Sequence, residues 1–376
     1  MPRFLALTSK GLGGVLEQEL KELDFKILKA SQTRALFECN WEKLYFAHLM
    51  LRTATRILLP VLDFTAYKNE ELYKQIQKHD FTKYISPKQS MWVVCNSSDK
   101  SGPFKNDVFV SQLVKDAIVD QFREKLGQRP NVNKQADLQI WVRIKGPNFS
   151  VSIDLTGPSL TQRGYRTEAG VAPLREHIAA GLLKLTKWEG QKDMLDPMCG
   201  SGTFLIEGAL IALNKGPGLF RKDFAFHKHA NFQKEAWVRA KNLAESLINP
   251  ELPIQILGYD IDHRMVEIAK NNVKRARLEK FIKIEQRAIK DLKNTLNHPL
   301  VVCNPPYGER LKEKTSLEVT YKDLGNKLKA EFKETEAWLL SGNKELTPAL
   351  RMKAERSYAV DNNGLDCKWL KYPLYK

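Results

Sequence analysis

A chain of 376 residues with 43% hydrophobic side chains has room for two or three packed cores, which excludes global disorder. No run approaches the roughly 18 consecutive apolar residues of a membrane helix, and the opening MPRFLALTSKGLGG lacks the apolar length and small-residue cleavage site of a secretory signal. A net charge of +16, spread along the chain, points to a polyanionic partner met by a face that folding assembles, since each Lys or Arg set against phosphate releases a counterion.

In chain order, RFLALTS reads as a strand, and VLEQELKEL as a helix with Leu16, Leu20 and Leu23 on one stripe. RALFECN reads as another strand, and WEKLYFAHLMLRTATRILLPV as a helix running towards a strand. Residues 1–61 are thus expected to form a small α+β unit. Residues 62–157 form a second, with a strand in SMWVVCNSS and a long amphipathic helix in DVFVSQLVKDAIVDQFREKLG. The apolar stripe of that helix is Val108, Val110, Leu113, Ala117, Ile118 and Phe122. DLQIWVRIKG and NFSVSIDLTG then read as a hairpin, alternating at Phe149, Val151, Ile153 and Leu155, so helices should lie on one side of the sheet.

Residues 158–376 alternate strands with helices, which implies an α/β unit on a mainly parallel sheet. The helix APLREHIAAGLLKLTKW leads to KDMLDPM, a helix from Thr203, IQILGYD, the helix HRMVEIAKNNVKRARL, IKIEQRAI, LVVCN, a further helix and AWLLSGN. ERSYAVDNNGLDC and KWLKYPLYK close the chain as a hairpin through Asn362-Asn363-Gly364.

Three motifs carry chemistry. In LDPMCGSGTFLIEGAL, strand, Gly200-Ser201-Gly202 and helix form a loop at the C-terminal edge of the sheet, where glycines admit a ligand close to the backbone. The alternative is a purely structural turn. The loop lacks G-x-G-x-x-G spacing, which counts against a nicotinamide oxidoreductase, and Asp196 before the turn suits a positive amino group better than a pyrophosphate. In LGYDIDHRMVEIAKNN, Asp260 ends a strand where an acid can accept hydrogen bonds from both hydroxyls of a ribose, whereas Asp262 reads as a helix cap. In LVVCNPPYGERL, a buried strand stops at Asn304-Pro305-Pro306-Tyr307, either a plain turn or a stiff pocket rim. The Asn304 amide oxygen and the Pro305 carbonyl can both accept from the exocyclic amine of a base, while Tyr307 offers a stacking face.

DPMCGSGT, GYDID and NPPYGERL, in that order, resemble the amino-group methyltransferases that use S-adenosylmethionine. RGYRTEAGVAPLREHIAAGLL before the glycine loop resembles the THUMP-containing RNA guanine-N2 methyltransferases, and SSDKSGPFKNDVFVSQLVKDAIVD with FSVSIDLTG resembles the THUMP domain itself. The resemblance spans nearly the whole chain and is greatest to the methyltransferases of bacterial 23S ribosomal RNA. Some of these carry a second, C-terminal methyltransferase domain that this chain ends without. It implies a ferredoxin-like domain over 1–61, a THUMP domain over 62–157 and a Rossmann-like methyltransferase sheet with an antiparallel last strand over 158–376. By it, Asp196, Pro197, Gly200, Ser201, Gly202 and Thr203 line the methionine part of the cofactor, Asp260 and Ile261 its ribose side, and Asp291 its adenine, unless Asp291 is only a loop acid. Asn304, Pro305, Pro306 and Tyr307 hold the target guanine, with Asn304 also bordering the cofactor. Arg163, Gly164, Tyr165 and Arg166 close over cofactor or RNA, or else form a linker with a buried Tyr.

Two decoys are weighed against this. The five cysteines are scattered without CxxC spacing, which suits reduced thiols in a cytoplasm, and Cys199 and Cys303 read as small buried residues rather than nucleophiles. His227 and His229 in FAFHKHANFQ lack a third ligand, so a loop or surface strand is expected there and no metal. The expected activity is methyl transfer to the N2 amine of a guanine in 23S ribosomal RNA. The alternatives are a transfer RNA guanine, an adenine N6, or a non-catalytic RNA-binding ribosome-assembly factor.

Overall fold

The computed structural model describes residues 1–99, 102–166, 174–307, 311–362 and 364–375, and for 311–316 the backbone alone. The alternating strands of the first 155 residues join one sheet: β1 (Arg3–Leu7), β2 (Lys26–Ser31), β3 (Arg34–Glu38), β4 (Arg56–Thr65), β5 (Ser90–Asp99), β6 (Asn131–Val132), β7 (Leu138–Lys145) and β8 (Asn148–Asp154). Their order is β2-β3-β1-β4-β8-β7-β5-β6. β4 carries the join, with Leu58 paired to Leu5 of β1 on one flank and to Asp154 of β8 on the other. The boundary expected at 61/62 therefore falls inside a strand that both halves share.

Helices α1 (Gly13–Glu22), α2 (Trp41–Met50), α3 (Asn69–Gln77) and α4 (Asp107–Leu126) contribute the apolar faces buried against this sheet. On α4 the buried stripe is Val110, Val114, Ala117, Ile118 and Phe122, while Val108, expected on it, is 67% exposed. Val108 lies in the first turn, which Asn106 caps by accepting from the Val108 and Phe109 N–H groups. β2 escapes the pattern because it is a sheet edge, largely exposed and rich in Lys, with no clean alternation.

The remainder alternates α5 (Glu176–Leu185), β9 (Met194–Asp196), α6 (Thr203–Ala212), α7 (Lys234–Ser246), β10 (Ile256–Asp260), α8 (His263–Arg275), β11 (Ile282–Gln286), β12 (Leu300–Cys303), α9 (Leu311–Glu331) and β13 (Thr335–Ser341). The hairpin β14 (Arg356–Asn362) and β15 (Leu365–Leu374) ends the chain. The sheet order is β11-β10-β9-β12-β13-β15-β14. β9 to β13 run parallel, and β15 inserts antiparallel between β13 and β14, as expected of the last strand.

The segment between α6 and β10 holds a loop, one of the two forms expected for FAFHKHANFQ, and then α7, a helix absent from the expected order. FAFHKHANFQ forms no surface strand: Phe224, Phe226 and His229 are buried, and residues 225–228 make a short 3-10 turn. Phe226, Phe232 and Trp237 surround Tyr45 of α2, with ring centroids 4.6, 5.8 and 6.1 Å away. Burial lowers the titration of His48 to about 3 and of His229 to about 4, so both stay neutral at physiological pH. This insertion ties the α/β sheet to α2, and Gly218 sets how close the two come. A Cβ there would lie 2.3 Å from the His48 carbonyl oxygen and 2.6 Å from Leu49 Cα, both rigid backbone. Gly218→Ala should destabilise the protein by about 1–3 kcal/mol, the usual cost of overpacking. Urea unfolding monitored by Trp fluorescence reads this directly.

Candidate active site

β9 and β12 are adjacent and parallel, yet the chain leaves β9 towards β10 on one side and reaches β12 only after β11 on the other. At such a reversal the connecting segments diverge, leaving a crevice beyond the C-terminal strand ends. All three motifs end there: Asp196 on β9, Asp260 on β10 and Asn304 just past β12.

The glycine loop is held by its neighbours. Gly200 and Gly202 both have positive φ, +53° and +79°, and Gly202 starts α6. The Cys199 N–H donates to the Tyr259 carbonyl at 2.8 Å, and the Gly200 N–H donates to Asp260 Oδ2 at 2.9 Å. Asp260 Oδ1 accepts from the Asp262 N–H at 3.0 Å, so its carboxylate is aimed while each oxygen keeps a lone pair. Asp262 itself caps α8 by accepting from the Arg264 N–H at 2.8 Å. Ser201 and Thr203 are buried under the loop, where Asn272 donates to the Ser201 carbonyl. Pro197 is buried, while Ile261 projects from the crevice at 67% exposed. Asp291 is exposed on the 3-10 turn after β11, a segment tied back to Asp260 by an Arg287 N–H to Asp260 carbonyl bond of 2.9 Å.

Asp196 is 2% exposed and accepts from the Met198 N–H at 3.1 Å. Burial first, and then the nearby Asp260 charge, push its carboxyl well above the usual range; burial also raises Asp260. A crevice floored by two such acids favours a cationic guest. Burial likewise raises the Cys199 and Cys303 thiols far above their usual value, which keeps them protonated and poor nucleophiles.

The Asn304–Tyr307 turn presents acceptors and few donors. Two successive prolines remove two backbone N–H groups beside the strand end. Asn304 and Tyr307 are half-buried, Pro305 is buried and Pro306 is exposed. The Tyr307 hydroxyl donates to Asn304 Oδ1, an amide oxygen with a second lone pair to offer. The Tyr307 ring leans on Gly342, where a Cβ would come within 2.9 Å of it. Gly308 and the Glu309-Arg310 pair of GERL lie outside the described residues, as do residues 167–173 of the signature before α5.

Within RGYR, Arg163 and Tyr165 are turned inward. Arg163 and Tyr165 are each 1% exposed, so neither offers a surface to RNA in this conformation. Arg163 donates to the Leu160 and Arg52 carbonyls, and its Nε lies 3.6 Å from Glu207 of α6. Tyr165 donates to the same Glu207 at 3.0 Å. Arg166 reaches Thr203 Oγ1 at 2.6 Å and so braces the end of the glycine loop. These partners come from α6 and from the turn after α2, which is why the string alone could be read as an exposed clamp. Among the described residues no three metal-ligating side chains converge, and no helix is long and apolar enough to cross a membrane.

The family model of the RMKL-like methyltransferase domain matches residues 163–371. The chain belongs to the RMKL-like methyltransferase family. THUMP and RlmL ferredoxin-like domain models match residues 66–154 and 3–58. The chain is similar to the ribosomal RNA large subunit methyltransferase K/L of Photobacterium profundum, 36% identical over 98% of this chain and 52% of that protein. It thus spans about half the length of the first such relatives. It also resembles slr0064 of Synechocystis, 33% identical over 99% of this chain and 97% of its relative. Among solved structures, SMU.472 complexed with SAH superposes with a TM-score of 0.91 at 30% identity, covering 100% of this chain and 98% of that one.

The raised Asp196 carboxyl makes a prediction for this RMKL-like fold. A group that binds its proton more tightly when folded costs stability as pH rises above its unfolded value, about 3.9 for Asp, until the folded group ionises. Ligand-free stability should therefore fall through that window. Asp196→Asn should flatten the fall and raise Tm at neutral pH, as a calorimetric pH series would show.

Proposed function

We propose that this chain transfers a methyl group from S-adenosylmethionine to the exocyclic N2 amine of a guanine in large-subunit ribosomal RNA, in the cytoplasm. The observation that carries the reading is the acceptor-rich turn at Asn304–Tyr307, set beside a buried acid, Asp196, and a half-buried one, Asp260, at one strand reversal. The K/L relatives' names and the family match support the same substrate class.

The residues at the crevice suit the cofactor. At Gly200 a Cβ would find only Met265 Cε, 3.9 Å away, so the backbone there is open to a ligand. Asp196 would face the cofactor's ammonium group and Asp260 its ribose hydroxyls, with Gly200, Ser201, Gly202 and Thr203 forming the wall between. Ile261 offers an apolar face to the adenine, with Asp291 at its edge. When bound, S-adenosylmethionine supplies an electrophilic methyl group on a sulfonium.

The rest is done by this chain. A guanine amine is a poor nucleophile because its lone pair is delocalised into the ring. Asn304 Oδ1 and the Pro305 carbonyl accept its two N–H bonds, which fixes its direction and favours lone-pair character as the nitrogen rehybridises. No strong base is required at the turn, since the proton leaves from a nitrogen that has become cationic. The base must be unpaired or flipped, because N2 of a paired guanine is engaged, and Tyr307 provides the stacking surface. The +16 charge and the THUMP-like half supply the backbone attraction.

Asn304→Ala should leave cofactor affinity within about twofold but lower kcat by roughly 100-fold or more, as loss of a positioned acceptor does. Calorimetry and transfer of tritiated methyl groups to ribosomal RNA measure the two. Digestion of the product to nucleosides should yield N2-methylguanosine. N6-methyladenosine would reassign the base, and methylation confined to transfer RNA would reassign the substrate. The Asp196→Asn variant should weaken cofactor binding by about 10- to 100-fold, the usual worth of a hydrogen bond to a charged group.

A further inference from the structure

The turn after β12 offers three successive carbonyls, those of Pro305, Pro306 and Tyr307, and methyl transfer to an amine as proposed above uses one of them as an acceptor. The Tyr321 hydroxyl, on α9, donates to the Pro306 carbonyl at 3.3 Å. The Asn343 amide Nδ2, just after β13, donates to the Tyr307 carbonyl at 3.2 Å. Among the described residues no donor reaches the Pro305 carbonyl.

Both donors are built into rigid surroundings. Tyr321 is 1% exposed and packs with Cys303, Leu324 and Leu339 in the core behind the turn. Asn343 Oδ1 accepts from the Glu345 N–H at 2.9 Å, and its own carbonyl accepts from Ser341 and Thr347 hydroxyls at 3.1 and 3.2 Å. The amide is therefore oriented with its N–H₂ towards Tyr307. Gly342, between them, leaves room for the Tyr307 ring. α9 and the turn after β13 thus grip the loop at its exposed proline and at the residue after it.

The geometry points to Tyr321 and Asn343 as positioning residues for methyl transfer: by engaging the Pro306 and Tyr307 carbonyls they leave the Pro305 carbonyl as the acceptor for the substrate amine. This rests on the reading above of methyl transfer to an amine. Neither residue touches the substrate. Without Tyr321 the Pro306 carbonyl loses its anchor, and the Pro305 carbonyl, one peptide away, is held less firmly in direction. Displacements on the order of 1 Å at a reacting group can lower rates by about 100-fold.

The test uses two nearly isosteric variants of the full chain, Tyr321→Phe and Asn343→Asp, each of which removes one donor and keeps the packing. Expected for both is a kcat roughly tenfold below the parent. The KM for RNA, the calorimetric affinity for S-adenosylmethionine and Tm should stay at parent values. Asn343→Gln, which keeps an amide donor, should recover more activity than Asn343→Asp. A kcat unchanged in both variants would overturn the inference while the parent's activity upholds methyl transfer to the amine. Parallel losses in Tm and cofactor affinity would overturn it too, because they mark a merely structural role. A parent chain inert towards every RNA amine would remove both readings together.

Discussion

The site depends on the reversal of strand order between β9 and β12. Parallel strands whose following segments part in opposite directions leave a gap that no side chain of the sheet itself can fill. Asp196 and Asp260 border that gap from below, and the prolines end β12 so that its next residues turn over it. The hydrogen bond from the Gly200 N–H to Asp260 then links the loop after β9 to the end of β10. Remove the reversal and these residues would be separate loop features with no common guest.

A second constraint acts from behind the crevice. Glu207 lies one helical turn into α6, the helix that the glycine loop begins, and it is completely buried. A buried carboxylate needs partners, and its partners are Tyr165 and Arg163, the latter also holding the carbonyl of Arg52 from the first unit. Arg52 is itself enclosed, its backbone N–H accepted by Glu19 at 3.0 Å. A continuous chain of buried polar contacts therefore runs from α1 of the first sheet to the helix under the glycine loop. Such a network resists small displacements, because each missing partner would strand a charge.

What could be read from sequence divides along the same physical line. DPMCGSGT, GYD and NPPY were legible because Gly, Pro and strand-terminal acids impose backbone conformations within a few residues of themselves. The order of elements after residue 158 was legible from the alternation of strands and helices, except for α7, which packs on α2 and was missing from the expected order. For RGYR the string left a clamp and a linker with a buried Tyr both open, and the burial of Tyr165 favours the second, through Glu207 and Arg52, which nothing in the string announces. FAFHKHANFQ was legible as a loop or surface strand without a third metal ligand, but not as a packing element, because its aromatics meet Tyr45 and His48 far earlier in the chain. Tyr321, Gly342 and Asn343 carry no motif at all; a tyrosine in a helix and an Asn after a strand acquire meaning only beside the Pro306 and Tyr307 carbonyls.

β4 has a consequence for how the molecule could be taken apart. Because it hydrogen-bonds to β1 on one side and β8 on the other, a cut on either side of it strips a strand from one of the two halves. The shortened piece would show a raw row of N–H and C=O groups to other chains, an invitation to edge-to-edge association. The two family models that match this region stop at residue 58 and resume at residue 66, on either side of the strand's middle. Two sequence modules thus meet in one backbone ladder, and mechanically the first half of the protein is a single plate.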